Sequence, residues 1–259
     1  MLQHTFVHIP GVGPQTERSL WRQGIVTWRH ALGTSCPTGF SADRWSTNCE
    51  CIEQSLRSLK RRDHRYFARV LSTSDHWRAW RDFRDTIAYL DIETTGCRGS
   101  DRVTVVGIYD GSRTRSFIAG DNLNQLPEVL EQYAMLVTFN GASFDLPFLR
   151  RHFRSLHFHQ LHLDLMHALR RIGLKGGLKS IERQVGIERD DDLAGLGGWD
   201  AVRLWNEYRR GNDRSLETLI RYNTADIENL EHLAEIAYEK LCVSLGVPGE
   251  SRIGGDVLR

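Results

Sequence analysis

The feature that most constrains the fold is a change in the pattern of apolar residues near residue 86. From Thr86 onward, short apolar runs alternate with stretches whose apolar residues recur at helical spacing. Strands that alternate with helices in this way are typical of an α/β domain. We therefore predict a small all-α module at residues 1–85, an α/β domain at 86–241 and a C-terminal tail at 242–259.

The α/β domain is predicted to contain a mixed five-stranded sheet flanked by helices. Strands are predicted at Ile87–Glu93, Arg102–Tyr109, Arg113–Ala119, Met135–Phe139 and His159–Leu163. Helices are predicted at Leu123–Gln132, Phe144–Phe153, Leu178–Val185, Ala201–Arg209 and Leu216–Leu241. The dipeptide Asp110-Gly111 predicts a tight hairpin turn between the second and third strands.

The N-terminal part of the chain is basic and is predicted to be helical. Residues 1–86 carry 13 Lys and Arg against 8 Asp and Glu, although the net charge of the whole chain is only +1. Helices are predicted at Thr16–Gln23, near Thr27–Leu32, from about Asn48 and at Ser74–Phe83, with a polar loop at Gly33–Ser46. A basic module would suit phosphate binding, and chance asymmetry is an equal explanation.

A Gly-Val-Gly turn stands in the first part of this module. Gly11 and Gly13 precede a helical pattern, and small residues at such a turn let backbone N–H groups approach a phosphate. The segment of about residues 6–32 resembles a helix-hairpin-helix, a motif that contacts the DNA backbone without selecting sequence. The alternative is a tight structural corner between two helices.

Composition places the chain among ordinary globular proteins. Its hydrophobic content is 40% and its charged content 26%. The apolar runs are too short to cross a membrane, and no signal-peptide pattern opens the chain, so we expect a cytoplasmic protein. The five cysteines predict thiols and no disulfide. Whether Cys36, Cys49, Cys51 and His64 bind zinc stays open, because C-x-C is not the usual spacing.

Acidic residues carry the chemistry of the α/β domain. Asp91 and Glu93 alternate with Ile92 in a strand, so both carboxylates share one face of the sheet. Asp145 follows another apolar strand and begins a helix, where a lone acid would be a capping residue. Tyr222 and Asp226 lie one turn apart on the apolar face of a long helix. Buried carboxylates are costly without cations, which favours a metal site.

The three segments resemble the exonuclease motifs of the DEDD superfamily, which has an RNase H-like fold. D-I-E-T-T-G is similar to the first motif, N-x-x-x-F-D to the second as found in proofreading domains of family B DNA polymerases, and Y-x-x-x-D to the third. The tyrosine at 222 indicates the DEDDy branch. The segments at Leu161–Leu165 and Leu178–Glu182 also resemble a bacterial and archaeal group of YprB-like RNase H-like proteins.

The resemblance implies a 3′–5′ exonuclease with two Mg²⁺ or Mn²⁺ ions roughly 4 Å apart. Asp91 would bridge both ions, Glu93 and Asp226 would complete one site, and Asp145 would hold the other ion largely through water. Tyr222 would orient the attacking water. Thr94 and Asn140 are candidate contacts to the terminal nucleotide, and Gly11 and Gly13 are candidate contacts to the DNA backbone.

Several neighbouring residues have two interpretations. Asp164 is either an extra acid near the site or, as we favour, the cap of the following helix. A glycine loop is flanked by Lys175, Lys179 and Arg183. These basic residues either hold backbone phosphates or form a solvated surface. We expect Phe144 and Phe148 to pack in the core.

The motifs do not distinguish DNA from RNA. The hairpin-like segment favours DNA over RNA, and single-stranded DNA in repair or processing is the predicted substrate. The alternatives are an exoribonuclease, a structure-selective nuclease of the same fold, and a non-catalytic nucleic-acid-binding protein. Protein partners and oligomeric state are not predicted.

Overall fold

The computed structural model describes residues 1–248, except for the side chains of Asp191 and Ala194. The chain divides into two compact units. The first contains residues 1–84, 159–161 and the chain from residue 238, and the second contains residues 85–158 and 162–237. In the described part, no helix is both long enough and apolar enough to span a membrane.

The first unit is built from helices, as the sequence predicts, but the helix predicted at Ser74–Phe83 is wrong, because a 3₁₀ turn that ends at Ala79 stands there. They are α1 (Pro14–Arg22), α2 (Trp28–Leu32), α3 (Ala42–Lys60) and α4 (His64–Val70), with 3₁₀ turns at Leu2–His4 and Thr73–Ala79. The side chains of Thr27, Ser41 and Asp63 accept backbone hydrogen bonds at the starts of α2, α3 and α4. The predicted loop at 33–46 is therefore wrong from residue 42, because Ser41 starts α3 early.

A buried ion pair fixes the interior of the first unit. Arg78 Nη1 lies 3.1 Å from Glu17 Oε1, and both side chains are at most 2% exposed. Glu17 Oε1 also accepts a 2.7 Å hydrogen bond from the backbone of Phe6. Removing one partner of such a pair leaves a buried charge uncompensated, which costs on the order of 3–5 kcal/mol. The first residues of the chain are therefore part of this core.

The second unit is the predicted α/β fold. Its strands are β1 (Ile87–Thr94), β2 (Val103–Tyr109), β3 (Thr114–Ile118), β4 (Met135–Thr138) and β5 (Leu161–Asp164). Its helices are α5 (Leu126–Leu130), α6 (Asp145–His152), α7 (Leu165–Arg171), α8 (Leu178–Gln184), α9 (Asp191–Ala194), α10 (Gly198–Tyr208) and α11 (Asp213–Leu245), whose last residues, from Tyr238, belong to the first unit. Helices α4, α7 and α9 were not predicted, and the side chains of Asp63 and Asp164 cap the starts of the first two.

The sheet is mixed, with the strand order β3-β2-β1-β4-β5. β1 pairs antiparallel with β2 and parallel with β4, and the predicted mixed five-stranded sheet is confirmed. The parallel pairing with β4 ends at Tyr89–Val137, so the later part of β1 lies beside the turn that follows β4. The register with β2 shifts between Glu93 and Thr94. Bulges of this kind re-aim side chains near functional sites.

The two faces of β1 have different neighbours. Ala88, Leu90 and Ile92 belong to a core cluster that includes Leu126 and Phe148. The opposite face carries Asp91 and Glu93. Phe148 is 5% exposed and Phe144 is partly buried against this cluster, as expected for core residues.

The predicted division into a module, a domain and a tail stays a prediction. Two segments differ from it, because residues 159–161 and those from 238 group with the first unit. Helix α11 continues to Leu245, beyond the predicted end at Leu241, and residues 249–259 of the predicted tail lie outside the described residues. All five cysteines are free thiols.

Candidate metal centre

Strand β1 places two carboxylates on one face of the sheet. Asp91 is half-buried and Glu93 is 7% exposed, while Ile92 points into the core cluster on the other side. The alternation of side chains along a strand produces this arrangement. The face is therefore acidic at the end of β1 that lies beyond its pairing with β4.

Helix α11 contributes the third acid. Tyr222 and Asp226 are one turn apart, and both are buried on the face that also holds Leu219 and Leu230. One carboxylate oxygen each from Asp91, Glu93 and Asp226 lies within 4.8 Å of the others. Among the described side chains, no group of His, Cys, Asp and Glu close enough to hold a metal includes Cys36, Cys49, Cys51 or His64.

The turn after β4 positions the fourth acid, Asp145. Asn140 adopts a left-handed conformation with φ of 63°, and Asp145 begins α6. Asp164 holds this turn, because its carboxylate accepts hydrogen bonds from the backbone of Asn140 at 2.9 Å and of Ala142 at 3.0 Å. Asp164 also caps α7, through a 3.1 Å bond from the backbone of Met166.

The pKa values of all four acids are raised. Burial is the largest cause in each case. The charges of Asp145, Asp226 and Glu93 raise the pKa of Asp91 further. Burial raises the pKa of Asp145 to about 7, although hydrogen bonds from its own backbone and from Ile92 oppose the shift. The charged cluster thus destabilises itself without a cation.

The acids fit a divalent cation by their donor chemistry. Among the described residues, Glu93 Oε1 and Asp145 Oδ1 are buried without a hydrogen-bond partner. Buried oxygens in this state are unfavourable unless they are ligands. An all-oxygen set of carboxylates suits Mg²⁺ or Mn²⁺ better than zinc.

Asn223 is a site residue that the sequence analysis missed. Its Nδ2 atom donates a 2.9 Å hydrogen bond to Asp91 Oδ2. Gly107, the β2 partner of Asp91, allows this approach, because a Cβ atom at Gly107 would lie 2.0 Å from Asn223 Oδ1. The position next to Tyr222 was the available signal, but helical spacing alone does not show which neighbour reaches the strand.

Arg189 was also missed, because nothing in its local sequence distinguishes it. It lies between α8 and α9 and is 5% exposed, with its Nη1 atom 2.5 Å from Asp226 Oδ1. Glu182 binds it on the other side through a 2.5 Å pair, and Asn229 donates to Glu182 at 3.0 Å. A buried cation therefore lies against the acid of α11.

Tyr222 and Lys179 lie next to each other beside the acids. Lys179 Nζ is 4.5 Å from the centroid of the Tyr222 ring. Burial first, and then the charges of Asp226 and Glu93, raise the pKa of Tyr222 well above its ordinary value. The phenol therefore stays protonated and is a hydrogen-bond donor at neutral pH.

The four predicted substrate contacts fall in different places. Thr94 lines the cavity of the acidic site, and its hydroxyl donates a 2.6 Å bond to the carbonyl of Gly96. Asn140 shapes the turn before Asp145 through its backbone. Gly11 and Gly13 lie in the first unit, where Arg44 Nη2 donates a 2.6 Å bond to the Gly11 carbonyl. Their roles towards a substrate stay predictions.

A cavity of about 390 Å³ opens over the acids. Its lining includes Asp91, Glu93, Thr94, Tyr222 and Asp226. The arrangement combines an acidic floor, a protonated phenol and an open approach. Such a site can hold cations and orient a nucleophile beside them.

The chain is similar to a solved structure and to one family of known sequences. The family B DNA polymerase from the hyperthermophilic archaeon Pyrobaculum calidifontis matches at 18% identity and a TM-score of 0.46, over 59% of this chain and 24% of that chain. No curated protein sequence matches. The sequence profile of the RNase_H superfamily matches residues 88–238, which hold all four acids and the whole sheet apart from Ile87. Since this match covers more than half of the 259 residues, the chain belongs to the RNase H superfamily.

Proposed function

We propose that the protein is a metal-dependent 3′–5′ exonuclease that hydrolyses phosphodiester bonds of nucleic acid. The observation that supports this most is the convergence of Asp91, Glu93 and Asp226, with oxygens within 4.8 Å of one another. Asp145 raises the pKa of Asp91 and so lies within electrostatic reach. Like charges buried this closely favour a bound cation.

The chain's own residues have separate roles in this proposal. Asp91, Glu93, Asp145 and Asp226 hold the ions. Two Mg²⁺ or Mn²⁺ ions, when bound, stabilise the attacking and leaving oxygens of an in-line displacement. Asn223 orients the Asp91 carboxylate through its 2.9 Å bond.

Tyr222 orients the attacking water in this proposal. Its hydroxyl is a donor at neutral pH, because burial first, and then the neighbouring carboxylates, raise the pKa of Tyr222 even further above neutrality. It donates a hydrogen bond to the attacking water and leaves a lone pair aimed at the phosphorus. Tyr222 is thus an orienting group and not a metal ligand.

We propose DNA, in single-stranded form, as the substrate. The hairpin-like segment around Gly11–Gly13 supports DNA, because backbone N–H groups at a glycine turn before a helix bind phosphates. Gly13 is the N-cap of α1, whose first turn begins with Pro14. RNA remains the alternative substrate within the same chemistry.

The decisive experiment compares end-labelled substrates. Single-stranded DNA, blunt duplex DNA and RNA of equal length carry the label at the 5′ end or the 3′ end. We expect single-stranded DNA to give a ladder of 5′-labelled products with Mg²⁺ or Mn²⁺, and none with EDTA. The 3′ label should leave as a mononucleotide from the first turnover.

Asp91→Asn is the matched control, because it removes a charge without removing a hydrogen-bonding group. It should abolish the ladder in a preparation that elutes and melts as a folded protein. Wild-type activity in this variant, or activity that survives EDTA, would contradict the proposal. Release of internal fragments would indicate an endonuclease instead.

A further inference from the structure

Trp199 is the exception among the tryptophans of this chain. Its side chain is 79% exposed, whereas the other six tryptophans are at most 7% exposed. It is the second residue of α10 and lines the same cavity as Asp91, Glu93 and Asp226. Water therefore reaches a large aromatic surface at the rim of the acidic site.

The outward position of Trp199 follows from how α10 packs. Ala201, Leu204 and Trp205 are buried and form the inner face of the helix. Trp199 lies away from this row, because two residues advance the helix by more than half a turn. The Asp200 carboxylate accepts a 3.0 Å bond from the backbone of Gly197, which fixes the start of the helix. The indole is thus held on a fixed backbone.

The chemistry around Trp199 limits what can bind it. The cavity floor carries carboxylates, which attract cations and repel an isolated phosphate, while the indole is a flat, uncharged surface. A nucleobase has a flat π-face and no charge, and its own phosphate can reach the floor once cations are present. Base–aromatic stacking of this kind tolerates any base.

We propose that Trp199 is the stacking platform for a nucleobase within the last two nucleotides of a single-stranded 3′ end. This assignment rests on the proposed function, since it names the form of substrate that the same site accepts. A base inside a duplex is stacked on its neighbours and paired, and so its face is not available to the indole without unstacking. Trp199 therefore favours single-stranded or frayed ends over blunt duplex ends.

Binding is measured apart from hydrolysis. Tyr222→Phe protein, which is expected to keep its metal affinity and hydrolyse slowly, is the parent for this test. It is titrated in Mg²⁺ with oligothymidylate and with a blunt duplex of equal length, and intrinsic fluorescence is followed. Because the other tryptophans are buried, quenching by acrylamide reports mainly on Trp199. Oligothymidylate should shield this fluorescence, and the duplex should shield it much less.

Substitutions then test the role of the indole. Trp199→Ala should weaken binding of oligothymidylate by about 5- to 150-fold, and Trp199→Phe by less. Val243→Ala is the matched control, because Val243 is a 64% exposed apolar residue that does not line the cavity. It should bind as the parent does.

An abasic substrate separates stacking from a structural effect. When the last two nucleotides lack their bases, the parent and Trp199→Ala should bind within about twofold of each other. A loss that persists on the abasic strand, or unchanged binding of oligothymidylate by Trp199→Ala, overturns the assignment. If the wild type does not hydrolyse DNA but these binding results hold, the exonuclease proposal fails and the stacking site stands.

Discussion

The Nη1 atom of Arg189 lies 2.5 Å from Oδ1 of Asp226, the acid that α11 contributes to the metal centre. Glu182 holds the same guanidinium from the other side at 2.5 Å. Without a metal ion, Arg189 therefore compensates part of the negative charge of the cluster. A divalent cation at Asp226 must share or displace this contact.

Replacing Arg189 should change metal affinity and metal-free stability in opposite directions. In Arg189→Met, the guanidinium charge no longer repels a bound cation. We therefore expect Mn²⁺ to bind tighter by at least about tenfold. The EDTA-treated protein should melt at a lower temperature, because Glu182 and Asp226 lose their partner. Calorimetric titration measures the Mn²⁺ affinity, and thermal melts measure the stability in EDTA. In both quantities Arg189→Lys should lie between the wild type and Arg189→Met. Weaker Mn²⁺ binding in Arg189→Met would contradict this.

Replacing Asp91 and replacing Asp226 should change the stability of the metal-free protein differently, although both residues are needed for hydrolysis. Asp91→Asn removes a charge surrounded by acids, so the melting temperature in EDTA should rise. Asp226→Asn removes one of the two carboxylates that bind Arg189, so its melting temperature in EDTA should rise less or fall. Both should hydrolyse DNA at least about 10³-fold more slowly. Equal stabilisation by the two substitutions would show that the Arg189 contact is weak in solution.

The stability of the metal-free protein should depend on pH through Asp145. Its pKa of about 7 in the folded protein lies above the ordinary 3.8. The folded state therefore holds a proton that the unfolded state has lost, and this contribution to stability is full below pH 3.8 and disappears as pH rises through 7. Melts in EDTA at pH 5 and 8 should show the decrease. Asp145→Asn should reduce it, and an identical decrease in that variant would assign it to other groups.

Tyr222→Phe should separate catalysis from metal binding. The phenol donates a hydrogen bond and is not a ligand in our proposal, so Mn²⁺ affinity should stay within about threefold while hydrolysis slows by roughly 10² to 10⁴. Single-turnover rates and calorimetry give the two values. Lost Mn²⁺ affinity would make Tyr222 part of the metal centre.

A substitution that adds a single charge tests the hairpin-like segment better than a deletion does. Deleting residues 1–33 would remove Glu17 and leave the buried Arg78 with Asp75 as its remaining ion-pair partner, so the first unit would lose stability. Gly13 has no heavy atom within 4 Å of an added Cβ. Gly13→Asp should therefore fold, since aspartate is a good N-cap, while its carboxylate repels a phosphate at this turn.

The expected result for Gly13→Asp is weaker DNA binding with a shallower dependence on salt. Turnover of a short oligonucleotide at saturation should not change. Thr38→Asp adds the same charge at an exposed position of the same unit and should have little effect. Unchanged affinity and salt slope in Gly13→Asp would make the turn a structural corner only.

Local patterns were enough to predict most of the α/β domain. The five strands and the long helices were found because their apolar residues repeat over several turns or alternations. Short helices such as α4 and α7 were missed, and α3 starts earlier than predicted because Ser41 caps it. In each case a cap or a tertiary contact outweighed a weak periodic signal.

The sequence by itself determined that Asp91 shares a strand face with Glu93 and that Tyr222 shares a helix face with Asp226. These relations depend only on the geometry of one strand and one helix. Only the tertiary structure decided that Asn223 reaches Asp91, across a β2 position where Gly107 leaves room, and that Arg189 lies against Asp226. Such contacts join segments far apart in the chain, and no local periodicity encodes them because packing of whole elements brings them together.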